Sequence, residues 1–432
     1  MPESYSVRRL DCPVDVYISI PGSKSITNRA LILAALADGE STLVGVLDSQ
    51  DTRVMIESLL RLGFKIEGDP SDGKLQVEGR GGAIPASSAD LYLENSGTSI
   101  RFLTALCALA NGRFRLDGTN RMRQRPQGDL LAALQACGID ARSELGNGCP
   151  PIVLESNGAL RGGCISVGAD ASSQFLSALL MVAPYAREDL TLQPSGTLRP
   201  FYVDLTLRMM DQWGVSARTE NTLSQRYVVP SGQKYRAQPL YQIEPDASSA
   251  SYFFAAAALT GGRVTIPGLT PASLQGDVRF ATEVLSEIGC LVTETAEGLT
   301  VQGPVDGRLH GIQRDMSAIS DTSLTLAAIA PFADSPTTVT NIAHTRLQEC
   351  DRISAVCTEL TKLGVRVEER PDGFTIYPAE RIHPASINTY HDHRVAMSFA
   401  LIGLRAEGIE IEDPECVGKT FPEYWARLEA LA

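Results

Sequence analysis

A short polar cluster followed by a run of small and apolar residues occurs six times along the chain. The clusters begin at residues 24, 95, 170, 246, 321 and 393, which are 71, 75, 76, 75 and 72 residues apart. Ala and Leu favour helices, and a run without a polar face is typical of a helix that is buried on all sides. This regular spacing predicts six copies of one supersecondary unit, each opening with a buried helix.

Within each predicted unit the same elements follow in the same order. A β-like run such as STLVGV or RVTIPG comes after the first helix, and a second helix and a further strand come next. In the first five units the second helix is expected to end at a glycine, because glycine adopts the left-handed conformation of a helix C-cap without steric strain. These glycines are Gly63, Gly138, Gly214, Gly289 and Gly364. The pattern predicts an α/β fold.

The sixth unit lacks its last strand, because the chain ends at residue 432. The N-terminus contains a strand-like segment, VDVYISI at residues 14–20, and we predict that this strand completes the sixth unit. Three units then form an inserted domain over residues 22–243. The other three form a second domain over residues 1–21 and 244–432. The chain crosses between these domains twice, and this double crossover is expected to act as a hinge.

Composition narrows the range of functions. The chain has 51 acidic and 38 basic residues and a formal net charge of −13, which argues against a nucleic-acid-binding protein but not against a local anion site. Its nine cysteines are scattered without a C-x-x-C pair, so we expect no disulfide framework, no metal site and a cytoplasmic location. Its apolar runs are too short to span a membrane.

The openings of the six helices carry more polar side chains than capping requires. One Ser, Thr, Asp or Asn is sufficient for an N-cap, whereas these openings hold two to four polar residues, often with Lys or Arg. Helix N-termini bind anions through their free N–H groups and the helix dipole. We therefore predict that several openings converge on one site for phosphates and carboxylates.

Seven segments between residues 21 and 425 resemble, in the same order, the signature blocks of the 5-enolpyruvylshikimate-3-phosphate synthase family. They are PGSKSITNRALILAALA, NSGTSIR, DGTNRMRQRPQGDL, DASSQFLSALL, QECDRI, YHDHRVAMSFAL and GKTFPEYW. The resemblance implies two domains of three βαβαββ units each, the inside-out α/β barrel of enolpyruvyl transferases. It also implies transfer of the enolpyruvyl group of phosphoenolpyruvate to the 5-hydroxyl of shikimate 3-phosphate. Phosphate is released through a tetrahedral intermediate, without a cofactor, on the route to chorismate and the aromatic amino acids.

The resemblance implies a shikimate 3-phosphate site made from several of these blocks. Its residues are Lys24, Ser25, Arg29, Ser172, Ser173, Gln174, Tyr202, Asp321, His344 and Gln348. Ser25 and Arg29 are four residues apart and share one face of the first helix, where they are expected to meet the substrate carboxylate. His344 and Gln348 replace an asparagine and a lysine of many family members, so one cation is missing from this site.

A second set of residues is implied for phosphoenolpyruvate. It contains Lys24, Asn95, Gly97, Arg125, Gln174, Arg352, Arg394 and Lys419. Arginine suits this substrate because its guanidinium binds carboxylates and phosphates in bidentate geometry. By resemblance, Arg352 and Arg394 clamp the carboxylate and Lys419 closes over the substrate. The inserted domain is expected to supply the shikimate 3-phosphate side, and the domain closed by the N-terminal strand the phosphoenolpyruvate side.

Four residues are implied in catalysis: Asp321, Glu349, Lys24 and His393. An aspartate at a helix opening is by default an N-cap, whereas the resemblance makes Asp321 the base that accepts the proton of the 5-hydroxyl. Glu349 and Lys24 are implied in proton transfer. A buried structural histidine is an equal alternative for His393. Asp51, Asp351 and Asp392 are expected to orient arginines.

Two other functions remain open at this level. UDP-N-acetylglucosamine enolpyruvyl transferase shares the fold, but it has Lys-Asn where this chain has Lys24-Ser25, and a reactive loop cysteine that residues 116–130 lack. A non-catalytic anion-binding relative need not retain the catalytic acids. The family resemblance also implies inhibition by glyphosate, which fits the conserved small residue Gly97, and we expect a monomer.

Overall fold

The computed structural model describes residues 3–221, 225–304 and 306–432. The chain forms two compact units, Met1–Pro21 with Glu244–Ala432, and Gly22–Ile243. In chain order the strands are β1 (Ser4–Ser6), β2 (Asp15–Tyr17), β3 (Asp38–Val44), β4 (Lys65–Glu67), β5 (Lys74–Arg80), β6 (Ser88–Tyr92), β7 (Asn111–Asp117), β8 (Asp140–Ser143), β9 (Ile152–Asn157), β10 (Gly163–Gly168), β11 (Leu190–Ser195), β12 (Arg218–Asn221), β13 (Gln225–Val229), β14 (Tyr241–Gln242), β15 (Arg263–Pro267), β16 (Leu291–Thr295), β17 (Gly298–Gln302), β18 (Gln313–Asp315), β19 (Thr337–Thr340), β20 (Val367–Arg370), β21 (Gly373–Ile376), β22 (Ala385–Ile387) and β23 (Ile409–Glu412). The α-helices are α1 (Lys24–Leu36), α2 (Gln50–Arg61), α3 (Gly97–Cys107), α4 (Gly128–Ala136), α5 (Gln174–Val182), α6 (Phe201–Gln212), α7 (Ala247–Thr260), α8 (Ser286–Ile288), α9 (Ser323–Ile329), α10 (Arg352–Lys362), α11 (His393–Gly403) and α12 (Tyr424–Glu429).

The predicted α/β fold is confirmed, and each compact unit contains three small sheets with one recurring topology. The sheet order is β6-β7-β9-β8 in the second repeat, and β10-β11-β13-β12 and β18-β19-β21-β20 follow the same rule. The first two strands of each sheet are parallel and the remaining pairs are antiparallel. In the second, third, fifth and sixth repeats one buried helix joins the two strands of the parallel pair, because parallel strands need a crossover connection.

The prediction for the N-terminal strand is wrong. Residues 14–20 contain β2, which pairs in parallel with β15 of the fourth repeat, with Asp15 opposite Arg263. The sixth repeat is closed instead by β1, which pairs antiparallel with β23. The fourth repeat accepts β2 because β14, the strand that directly precedes its first helix in sequence, pairs with β3 of the first repeat.

The helices that open the repeats form the core, as their lack of a polar face predicts. From its third residue to its end α1 is buried, and α3 and α11 are buried along their whole length. The five predicted C-cap glycines all have left-handed φ, between 80° and 112°. One predicted second helix, over residues 278–288, is replaced by a 3₁₀ turn (Gly276–Val278), a π-helical segment (Phe280–Leu285) and α8.

Among the helices of the described residues, none combines the length and the apolar character that a membrane span requires.

Candidate active site

In the unit Gly22–Ile243, the openings of the first two helices are joined by an ion pair. Lys24 begins α1 after the N-cap Ser23, and its Nζ lies 3.2 Å from Oδ2 of Asp51 in the first turn of α2. The two side chains are 14% and 4% exposed. Asp51, which was expected to orient an arginine, therefore holds the lysine predicted to contact phosphoenolpyruvate.

The residues at the start of α3 bind the side chain of Arg125. The Arg125 guanidinium donates from Nη1 to the backbone oxygen of Asn95 at 3.0 Å and to its Oδ1 at 3.2 Å. A Cβ added at Gly97 would lie 2.3 Å from Nη2 of Arg125, well inside van der Waals contact. The glycine is therefore required by the close approach of this guanidinium, and it brings the three predicted residues together.

Arg101, which the sequence analysis did not select, joins the second and third repeats. Its Nη1 donates to Oγ of Ser172 at 3.0 Å and to Oε1 of Gln174 at 2.7 Å. The Gln174 amide donates in turn to Oγ1 of Thr98 at 3.1 Å. Ser173 precedes α5 but its hydroxyl makes no capping bond. The sequence feature that could have identified Arg101 is its position one helical turn after Thr98, on the same face of α3.

Arg29 has a different environment from the one predicted. It is 1% exposed, and its guanidinium donates to Oγ1 of Thr206 at 2.7 Å and to the backbone oxygens of Ser25 at 2.9 Å and Tyr202 at 3.2 Å. Burial lowers the pKa of Arg29 to about 10. In the described part of the chain this arginine holds together the backbone of two other predicted substrate residues, Ser25 and Tyr202.

In the other unit, Arg352 is the centre of a buried ionic network. Its Nε donates to Oδ2 of Asp392 at 2.8 Å, its Nη1 to Oδ1 of Asp321 at 3.0 Å, and its Nη2 to Oε2 of Glu349 at 3.1 Å. Burial alone would lower the pKa of this guanidinium, but the neighbouring carboxylates outweigh burial and raise it above its usual value. Arg352 is therefore a fixed positive charge.

The network extends to two further cations. Arg394 Nη2 donates to Oδ2 of Asp321 at 2.7 Å, so this carboxylate is held by two guanidiniums, and Asp321 is not the N-cap of α9. Lys419 Nζ donates to Oε1 of Glu349 at 3.1 Å, and these two side chains are 7% and 9% exposed. Three carboxylates and three cations predicted for the site thus form one balanced cluster.

Three predicted residues border this cluster. Gln348 accepts a hydrogen bond from Nη1 of Arg352 through its amide oxygen. Nε2 of His344 lies 2.9 Å from Oγ of Ser320, the residue before Asp321. His393 is 1% exposed, and its Nδ1 lies 3.7 Å from Oδ1 of Asp392. The two histidines are therefore placed against neighbours of the ionic network.

The near-copy of the third opening at residues 246–249 has a structural explanation. Asp246 caps α7 by accepting from the backbone N–H of Ser249 at 2.8 Å, and Gln275 Oε1 accepts from the N–H of Ala247 at 2.9 Å. The first N–H groups of this helix are thus satisfied by protein atoms, in agreement with the absence of predicted substrate residues here.

Backbone strain is concentrated beside the predicted site residues. In the described ranges, the residues other than glycine with left-handed φ are Glu94 (50°), Asn341 (62°), Tyr390 (53°), His391 (55°) and Asp413 (44°). Each lies within six residues of Asn95, His344, Arg394 or Lys419 along the chain. Strained backbone of this kind persists where the surrounding structure holds it, and it is common at functional sites. Here the buried carboxylate of Glu359 accepts from the Tyr390 hydroxyl at 2.6 Å.

Repeated α/β units whose helix openings carry clustered guanidiniums, lysines and carboxylates define an enolpyruvyl-transferase-type protein. The profile of EPSP synthase (3-phosphoshikimate 1-carboxyvinyltransferase) matches residues 11–428. The chain belongs to the EPSP synthase family.

Individual relatives cover nearly the whole chain. The 3-phosphoshikimate 1-carboxyvinyltransferase of Trichormus variabilis is 48% identical over 427 residues, which are 99% of this chain and 98% of the relative. The chloroplastic enzyme of Arabidopsis thaliana is 44% identical, over 96% of this chain and 82% of its own length. The solved structure of EPSP synthase from Acinetobacter baumannii superposes with a TM-score of 0.82 at 26% identity, covering 100% of this chain and 98% of that one.

Proposed function

We propose that this protein transfers the carboxyvinyl group of phosphoenolpyruvate to the 5-hydroxyl of shikimate 3-phosphate and releases phosphate. The observation that carries the proposal is the position of Asp321, which is hydrogen-bonded by both Arg352 and Arg394. Hydrogen bonds from these two guanidiniums fix the position of the carboxylate, and we assign it the role of the base. Family membership along the whole chain supplies the identity of the reaction.

The ionic network can serve both half-reactions. In the addition, Asp321 takes the proton of the 5-hydroxyl, the hydroxyl oxygen bonds to the carbon that bears the phosphate, and the neighbouring methylene gains a proton. In the elimination, the new methyl group loses a proton, the double bond forms again and phosphate leaves. Glu349, which is bonded to Lys419 and Arg352, has the position and the hydrogen-bonded partners of an acid–base group for the methylene carbon.

The anionic groups of the substrates are matched by cations at helix openings. Arg352, Arg394 and Lys419 offer guanidinium and ammonium groups to phosphoenolpyruvate. In the unit Gly22–Ile243, Arg101 with Ser172 and Gln174 presents donors for a phosphate, and we assign the phosphate of shikimate 3-phosphate to it.

Further properties follow from this proposal. We assign the protein to the cytoplasm because its cysteines are free in the described structure, and we propose that it acts as a monomer. Glyphosate is expected to inhibit it, because the chain belongs to the EPSP synthase family and has the small residue Gly97 next to Arg125. Complete activity in the presence of millimolar glyphosate would contradict this expectation.

The two alternative functions are less well supported. The relatives that match this chain over almost its full length are 3-phosphoshikimate 1-carboxyvinyltransferases, which disfavours a transferase acting on UDP-N-acetylglucosamine. A non-catalytic anion-binding protein would need cations but not the hydrogen-bonded carboxylates Asp321 and Glu349. Both carboxylates are present and held in the network.

The test is phosphate release from phosphoenolpyruvate, measured with and without shikimate 3-phosphate, for the wild type and for Asp321→Asn. We expect release only with both substrates, and a loss of about 10²-fold or more in kcat for the variant, the range that general acid–base groups supply. Asp246→Asn is the matched control, because asparagine caps a helix as well as aspartate. Release without the acceptor, or full activity of Asp321→Asn, would refute the proposal.

A further inference from the structure

Asn28 is a buried side chain whose hydrogen-bonding groups are unused. The residue lies within α1 and is fully buried, and within the described structure neither its Oδ1 nor its Nδ2 has a hydrogen-bond partner. A buried amide without partners is unfavourable and rare in native proteins, so it requires an explanation. Packing alone provides none, because leucine would fill a similar volume without the unsatisfied groups.

The position of Asn28 indicates what its amide faces. It follows Lys24 by four residues, so the two side chains share a face of α1, and helical side chains lean toward the N-terminus. That face is directed at α2, because Lys24 is paired with Asp51 there. The residues before and after Asn28 in sequence make other contacts: Thr27 accepts from the N–H of Leu47, and Arg29 donates to Thr206.

The same relation recurs beside two other cations of the site. Gln127 follows Arg125 by two residues, is fully buried, and its two amide atoms have no partner in the described ranges. Ser398 follows Arg394 by four residues on α11, and its buried hydroxyl also has no partner there. Three of the unsatisfied polar groups thus lie within four residues along the chain of cations that are predicted to bind substrate, which points to an arrangement that is completed in another state.

We propose that Asn28 is a positioning residue for Lys24, an inference that rests on the proposed function. In the structure, Nζ of Lys24 lies 3.2 Å from Oδ2 of Asp51 and neutralises this carboxylate. When a substrate anion draws the ammonium away, Asp51 remains buried without a cation. The Asn28 amide then donates from Nδ2 to the Asp51 carboxylate and accepts from the Lys24 ammonium through Oδ1. A carboxamide has one donor group, which suits the carboxylate of Asp51, and one acceptor group, which suits the ammonium of Lys24.

The experiment compares thermal stability and steady-state kinetics of Asn28→Leu with the wild type. Leucine removes the unsatisfied amide, so we expect the Tm to rise, by about 1–3 °C. We expect kcat/KM for phosphoenolpyruvate to fall about tenfold or more, because Lys24 is no longer positioned. The matched control is Tyr227→Phe on β13, which also removes a buried, unpartnered hydroxyl and is expected to raise the Tm without altering the kinetics.

A second measurement separates positioning through Lys24 from an independent effect. Phosphoenolpyruvate affinity is measured by calorimetry without shikimate 3-phosphate, so that no turnover occurs, for Asn28→Leu in the wild-type and Lys24→Ala backgrounds. If Asn28 acts through Lys24, the substitution weakens binding in the first background and has no further effect in the second.

The outcomes are distinguishable. Unchanged kinetics of Asn28→Leu, a lowered Tm, or an equal loss of affinity in both backgrounds would overturn this inference while leaving the proposed function intact. A wild-type protein that releases no phosphate would refute the proposed function and this inference with it.

Discussion

Replacing Gly97 by alanine tests whether the guanidinium of Arg125 packs as closely against residue 97 as the structure shows. The added Cβ would lie 2.3 Å from Nη2, 2.6 Å from Cζ and 2.8 Å from Nη1 of Arg125, whereas ordinary contact begins near 3.4 Å. The guanidinium must therefore retreat by about 1 Å, which breaks its two hydrogen bonds to Asn95. A misplacement of this size at a substrate-binding group lowers activity by about 10²-fold, or ~2.7 kcal/mol of transition-state stabilisation.

The assay is phosphate release over a range of phosphoenolpyruvate concentrations at saturating shikimate 3-phosphate. We expect kcat/KM for phosphoenolpyruvate to fall by about 10²-fold in Gly97→Ala and sensitivity to glyphosate to fall with it. Gly128→Ala is the matched control, because a Cβ at Gly128 meets no atom within 4 Å. Unchanged kinetics for Gly97→Ala would refute the assignment of Arg125 to this substrate. An equal loss in both variants would refute the steric argument.

Two further predictions concern ion pairs of different burial. Asp392→Asn removes the charge opposite the buried guanidinium of Arg352, and we expect the free energy of unfolding in urea to fall by about 3 kcal/mol; an unchanged urea midpoint would contradict this. Hydrogen bonds from Arg279, and the charge of Arg314, hold the pKa of Glu283 below its usual value against the effect of burial. The stability that Glu283 adds over Glu283→Gln should therefore be complete at pH 7 and be lost as the pH falls below about 4.3, which thermal melts of both proteins between pH 7 and pH 3 will show.

Sequence patterns correctly predict the parts of the fold that repeat. The buried helices, their order and the five C-cap glycines follow from local physics, because helix burial and left-handed φ depend on nearby residues. The pairing of the N-terminal strand was predicted incorrectly, since the segment at residues 14–20 contributes β2 to the fourth repeat, and β1, which was not predicted, closes the sixth. Their partners are set by which sheet has an open edge, and this is not a local property of the sequence.

The sequence predicted which residues belong to the candidate site better than it predicted which of their side chains bond to one another. The structure places Asp321, Glu349, Arg352, Arg394 and Lys419 in one network, although they are widely separated in sequence. The roles of these residues stay predictions. Nothing in the sequence indicates that Arg29 is buried among neutral oxygens, because an arginine in a helix can extend toward solvent or inward.

Arg101 shows why some supporting residues are harder to find. A motif marks residues that recur together, but it does not state which side chain orients which other. Arg101 is distinguished only once its bonds to Ser172 and Gln174 are known. By contrast, Asp392 was expected to orient an arginine, and it does: it caps α11 and accepts from Nε of Arg352.

The placement of the two N-terminal strands determines the order in which the chain can fold during synthesis. Residues 22–243 contain every strand of their own three sheets, so this unit can close as soon as β14 has left the ribosome. By contrast, Asp15 can bond to Arg263 only after a further 248 residues have been synthesised. Tyr5 can bond to Glu429 only after a further 424 residues. Contacts of such separation form late because loop closure must come first. The first segment to be made is therefore among the last to be placed, and a nascent chain truncated before β15 would carry a folded middle and an unpaired N-terminus.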